Sequence, residues 1–291
     1  MGTSSSNTGP KKNTPLLPSW AMTDIDNNSD DESTEKGGIE EDNGDIAIDN
    51  SQKKEKENEI VKQNPQLTGN WGVAKGALTR YANKIDGSSI KKAAGSYVKA
   101  IGGAKKATKS AYSGILTGGN YAGFISEISK KGYEATLRDY GLANCIGKSS
   151  EEVLVIIADK IAPIGSTNDD AIARNAVLVA LDTLYEKLLE EGKDIALLGS
   201  LDVQTLKESI QEYVSTYIFK KWVYEVGLAV EKNNLSEKDA IALEKEIKIF
   251  VRDEVKLALK DKDIIKLNLS DGEGKKMIEN ILLLAYSTIE K

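Results

Sequence analysis

The chain has 291 residues, with 39 basic against 45 acidic side chains, a net charge of −6, 40% hydrophobic residues, one cysteine and no histidine. This composition excludes Ser-His-Asp and Cys-His catalysis, imidazole metal sites and a histidine pH switch, and a lone Cys145 excludes an intrachain disulfide and a cysteine-rich zinc site. The length allows about two domains at roughly 150 residues each. No run approaches the ~18–20 apolar residues of a membrane span, and the polar start MGTSSSNTGPKK is not a secretory signal, so the expected compartment is the cytoplasm.

Residues 1–23 read as an N-terminal recognition arm. Pro15, Leu16, Leu17 and Pro18 favour an extended or polyproline-like backbone. Trp20 is a large apolar group in a tract too polar and proline-rich to join a core. Tryptophan is enriched where one chain docks on another, which points to a separate protein as the partner of the arm. The alternative is that PLLPSW folds back onto its own body. Gly2 and Ser6 also fit the short Met-Gly-x-x-x-Ser myristoylation pattern.

Residues 24–66 are expected to form a disordered acidic linker. Between 24 and 59 there are 14 acids and four lysines, net −10, with few large apolar groups to offset the entropy of ordering. Four of the five prolines lie within the first 65 residues, so long helices are expected only beyond them.

Residues 67–130 form a Gly/Ala/Lys-rich helical segment. Val73, Ala77, Leu78 and Tyr81 recur at helical spacing, followed by Ile90, Ala94, Tyr97, Val98 and Ile101, with Ser88 or Ser89 as cap. The pairs Gly102-Gly103 and Gly118-Gly119 are expected to break helices, and each interior glycine costs about 1 kcal/mol relative to alanine. Between 75 and 109 lie Lys75, Arg80, Lys84, Lys91, Lys92, Lys99, Lys105, Lys106 and Lys109 against Asp86 alone. Such a stretch could neutralise nucleic-acid phosphates, balance the acidic linker or meet an acidic partner, or lie on a membrane surface.

Residues 131–291 read as a helical body. Ser149 with Glu152 has the capping-box pattern. Helices are expected over 169–191, 203–232 and 237–260, and from Ser270 and Glu273 to the end. The stripe of the second runs Leu206, Ile210, Tyr213, Val214, Tyr217, Ile218 and Trp222. Ile264 to Leu269 alternates enough for one short strand. One strand makes no sheet, so the expected fold is all-α, an irregular helical bundle behind the arm and linker.

No catalytic constellation, metal-ligand spacing or cofactor motif stands out, and none is expected. The acid pairs Asp169-Asp170 and Glu190-Glu191 read as surface charge at helix ends. Cys145 reads as a small buried side chain without an activating base.

MGTSSSNTGP followed by PLLPSW resembles the opening of the QatB family, one of four components of the bacterial Qat anti-phage system; the others are an ATPase, a QueC-like enzyme (QatC) and a TatD-like DNase. The resemblance covers about twenty residues and the arm, linker and body layout. It implies a non-enzymatic protein that works with the QueC-like enzyme and, more loosely, with the ATPase and DNase. Enzymes of that type activate 7-carboxy-7-deazaguanine with ATP and transfer it to ammonia, and a protein α-amine could take the place of ammonia. Removal of Met1 would leave Gly2 as the acceptor, with Thr3 and Ser4 small enough to follow it into a narrow channel, and Pro15, Leu16, Leu17, Pro18 and Trp20 as the grip on the partner's surface.

Overall fold

Helical periodicity and local caps account for most of the architecture. The computed structural model describes residues 70–162, 164–192, 195–231, 235–260, 262–270 and 272–291. Among these, ten α-helices follow one another: α1 (Trp71–Ala82), α2 (Ile90–Ile101), α3 (Ala104–Ser110), α4 (Tyr112–Lys131), α5 (Tyr133–Asp139), α6 (Ser150–Ile161), α7 (Asn168–Glu190), α8 (Val203–Glu231), α9 (Glu237–Leu259) and α10 (Glu273–Ile289). Short 3-10 turns lie at Ala143–Cys145 and Ile195–Ser200. The described chain is all-α, as the pattern predicts.

α8 is the axis of the bundle. It is apolar on several faces, and every residue from 212 to 223 is buried, Tyr213, Tyr217, Phe219 and Trp222 among them. A stretch buried on every face belongs inside the core even though Glu212, Lys220 and Lys221 lie in it, and α8 packs against α1, α4, α7, α9 and α10. α10 runs beside α4 and also touches α3 and α9.

The caps are mostly local. Ser89 accepts from the Lys92 amide at 3.2 Å and starts α2, and Ser236 does the same for α9 with Asp239 at 3.2 Å. Thr167 and Asp170 form a full capping box at α7. At α6 the expected Ser149–Glu152 box does not form; Glu152 pairs instead with Lys148 at 2.5 Å. At α10, Gly272 is the cap, and the Glu273 carboxylate accepts from the Ser270 amide at 2.8 Å.

Two expectations about glycine divide. Gly102 and Gly103 do end α2, with φ of +104° and +90°, and the Glu290 carboxylate accepts from the Ala104 amide at 3.0 Å to start α3. Gly118 and Gly119 instead lie inside an unbroken α4. They are there for closeness: a Cβ on Gly119 would sit 2.5 Å from Lys275 Cγ and 2.9 Å from its backbone nitrogen, and one on Gly274 would sit 2.6 Å from the Gly119 carbonyl oxygen. Gly274→Ala therefore gains helix propensity yet is expected to lower stability by about 1–3 kcal/mol, because the α4–α10 backbones must separate; urea unfolding measures it.

The expected strand at 264–269 is absent among the described residues. No second strand offers a ladder, and α4 serves instead: Ser126 Oγ donates to the Leu267 carbonyl at 2.9 Å and accepts from the Leu269 amide at 3.2 Å. Val73, expected on the inner stripe of α1, is 48% exposed, and Ala74 takes its place in the core.

Candidate partner-docking surface

The residues that the sequence singles out for partner binding, Gly2, Thr3, Ser4, Pro15, Leu16, Leu17, Pro18 and Trp20, lie outside the described residues, as does the linker 24–66. The described chain starts at Asn70, directly before α1. An aromatic ladder secures this entry point. Trp71 meets Tyr97 edge-on at 6.3 Å, Tyr97 stacks on Trp222 at 5.7 Å, and Trp222 meets Phe250 at 6.5 Å. α1 is thereby held to α2, α8 and α9, so whatever precedes it departs from a fixed place on the body.

Around that place lies a basic surface. Lys75 and Arg80 of α1, Lys84 after it, Lys91, Lys92 and Lys99 of α2, and Lys105, Lys106 and Lys109 of α3 are all exposed. Lys92 and Lys99 are seven residues apart on one stripe, and Lys105 and Lys109 are four apart on another. The inner faces of the same helices carry Ala77, Ala93, Ala94, Val98 and Ala107, which forces the lysines outward. Among the described residues none of the nine cations reaches ion-pair distance of a carboxylate. Lys92 Nζ donates to the Gly87 carbonyl at 2.7 Å. Arg80 and Lys92 line a cleft of roughly 240 Å³ between α1 and α2, with Asp86 and Ser88 on its walls. Burial holds the Glu254 carboxyl on α9 above its usual range, against the pull of the Lys91 charge. The surface can attract anions.

Beneath it is a buried polar network that sequence reasoning missed. The Asp169 carboxylate at the start of α7 accepts from Tyr217 Oη at 2.7 Å, from Lys221 Nζ at 2.7 Å and from the Ser113 amide at 3.2 Å. Lys221 also lies 3.5 Å from Glu225, which accepts from Tyr97 Oη at 2.8 Å. Burial pushes the Tyr97, Tyr213, Tyr217 and Tyr286 phenols up, so they remain protonated donors at neutral pH. The network joins α2, α4, α7 and α8, and within it Asp169, Tyr217, Lys221, Glu225 and Tyr97 satisfy one another; the buried Tyr286 Oη beside them has no hydrogen-bond partner among the described residues. Asp169 reads in the sequence as a surface charge. The signal for a different role was Tyr213, Tyr217 and Lys221 at four-residue intervals on one face of α8. Farther along α8, Glu212 accepts two hydrogen bonds from Arg252 of α9, at 2.8 and 2.9 Å.

A second cleft, about 410 Å³, opens between α4, α5 and α10, but its Lys131 is already paired with Glu127 at 2.6 Å and Asp139 at 2.9 Å. Cys145 is buried. Among the described residues no cluster of His, Cys, Asp or Glu could hold a metal ion, and no helix is long and apolar enough to cross a membrane.

A family model described as Qat anti-phage system associated protein QatB matches residues 102–289, from α3 to the end of α10. No curated protein and no solved structure matches the chain. The arm, the linker, α1 and α2 lie outside the matched range.

Proposed function

Because this chain belongs to the QatB family and is therefore a component of a Qat anti-phage system, we propose that it acts there as a non-enzymatic adaptor and acceptor for a QueC-like enzyme, QatC. The carrying observation is a leading sequence, MGTSSSNTGP with PLLPSW, attached to a helical body that the family model matches. In this account Leu16, Leu17 and Trp20, set between Pro15 and Pro18, grip the surface of the enzyme, and Gly2, Thr3 and Ser4 enter its channel. The ATPase and the TatD-like DNase of the system meet the helical body, and the complex works in the cytoplasm.

The chemistry asked of this chain is modest. Processing at Met1 frees the Gly2 α-amine, whose reference pKa of about 7.7–8.0 leaves a useful neutral fraction near pH 7. The enzyme joins a deazaguanine carboxylate to AMP and releases pyrophosphate. The Gly2 nitrogen attacks the acyl carbon, an amide bond forms, AMP leaves and the surplus amine proton passes to solvent. Glycine and small hydroxyl side chains present little bulk to the channel, and their polar groups can pair inside it.

Peptide mass spectrometry of the N-terminus, with and without co-expressed partner, tests this. The expected result is an added mass on Gly2 equal to the carboxylic acid minus one water, present only with the partner. An identical peptide in both samples contradicts it.

One observation favours a second use of the chain: nine exposed cations on α1–α3 and the turn after α1. If they bind nucleic acid, combining Lys91→Glu, Lys92→Glu, Lys105→Glu and Lys106→Glu should abolish a salt-sensitive DNA mobility shift. Persistence of the shift would remove that reading.

A further inference from the structure

The basic surface has a candidate occupant within the same chain. Its cations stand on α1–α3 and the turn after α1, exposed and outside any ion pair among the described residues. The rest of the chain differs in its balance: residues 114–291 carry 30 acids against 23 bases, and Lys131, Lys148, Arg174, Lys207, Lys221 and Arg252 are each matched to a carboxylate. Net positive charge is thus concentrated on the helices by which the chain enters the body.

The preceding sequence carries the complement. Residues 24–59 hold 14 acids against four lysines, and eleven residues separate them from the start of α1. A tether this short gives an effective concentration of order millimolar, far above what a separate anion of ordinary abundance reaches. Opposite charge fields at such concentration associate without a shaped pocket, and salt weakens them. Arg80 and Lys92 line one cleft between α1 and α2, with Asp86 on its wall.

We propose that residues 24–59 lie on the basic surface of α1–α3 in the isolated chain, as an intramolecular electrostatic cover. This goes beyond the acceptor function and rests on different residues, so either can fail alone. Its consequence is a switch of reach. With the cover seated, the arm stays near α1. With the cover displaced by a polyanion or a charged partner, about 40 residues are released, a span on the order of 30–40 Å.

Carbodiimide cross-linking of the full chain, which joins carboxylates to amines without a spacer, tests the cover. At 50 mM NaCl, Asp and Glu of 24–59 should link to Lys75, Lys91, Lys92, Lys99, Lys105, Lys106 and Lys109. Yield should fall at least fivefold at 500 mM NaCl. A mixture of light and heavy chains should give links within chains only. Proximity of the tether alone would give the same links without the charge dependence, so a variant separates the two. Lys91→Glu, Lys92→Glu, Lys105→Glu and Lys106→Glu combined should reduce links to the retained Lys75, Lys99 and Lys109 at least threefold, while circular dichroism stays unchanged. A second readout is binding of a 30-base-pair DNA probe at low salt: a chain whose 14 linker acids are changed to Asn and Gln should bind at least tenfold more tightly than the natural chain. Links spread over Lys130, Lys160, Lys238 and Lys275, links mainly between chains, salt-independent yields, or equal DNA binding by both chains would each overturn the proposal.

Discussion

Trp20→Ala combined with Leu16→Ala and Leu17→Ala is expected to weaken capture of this chain by a QueC-like enzyme by about 100-fold or more, because a docked tryptophan carries on the order of 2–4 kcal/mol of an interface. Titration calorimetry of the full chain against the purified enzyme reads the affinity. Trp20→Phe should recover part of the loss, since it keeps an aromatic anchor. The melting temperature of the helical body should not move, because Trp71, Tyr97, Trp222 and Phe250 form their own ladder and none of the three substituted residues belongs to the described core. An unchanged affinity would show that the arm does not grip the enzyme.

Asp169→Ala should be the most damaging single truncation of the body. The Lys221 side chain is 8% exposed and has Asp169 as its nearest carboxylate, at 2.7 Å, with Glu225 farther off at 3.5 Å. Truncation leaves a largely buried ammonium short of its partner and takes an acceptor from Tyr217 and from the Ser113 amide. The expected loss is about 3–5 kcal/mol, the usual consequence of removing one partner of a buried pair. Tyr217→Phe removes one hydrogen bond and should cost about 0.5–1.5 kcal/mol. Adding Lys221→Met to Asp169→Ala should restore part of the stability, because the stranded charge goes too. Urea unfolding distinguishes these outcomes, and a loss under 1 kcal/mol for Asp169→Ala would mean that Glu225 and solvent compensate.

The long helices were legible because their signals are local. Expected bounds of 169–191, 203–232 and 237–260 compare with Asn168–Glu190, Val203–Glu231 and Glu237–Leu259. Ser236 and Gly192 act as the expected start and stop, Gly192 with φ of +68°. What failed depended on distant partners. Gly118-Gly119 looks like a helix break until Lys275 and Gly274 of α10 are seen against it. Ile264 to Leu269 alternates like a strand, but Ser126 takes its backbone groups. Asp169 resembles a surface charge because its partners lie 48 and 52 residues away. The helix-end signals of Asp169-Asp170 were sound for Asp170, which completes the capping box. The basic surface was legible as composition; that all nine cations stand outward followed only from seeing alanine fill the inner faces of α1–α3.

Pulsed hydrogen exchange of the full chain, alone and with the QueC-like enzyme, is the most direct measurement. Backbone amides of residues 2–20 should exchange at the rate of a free peptide in the isolated chain and become protected by at least tenfold when the enzyme is added, while α7 and α8 change little. Equal protection of those amides without the enzyme would place the leading segment against its own helices and contradict the account.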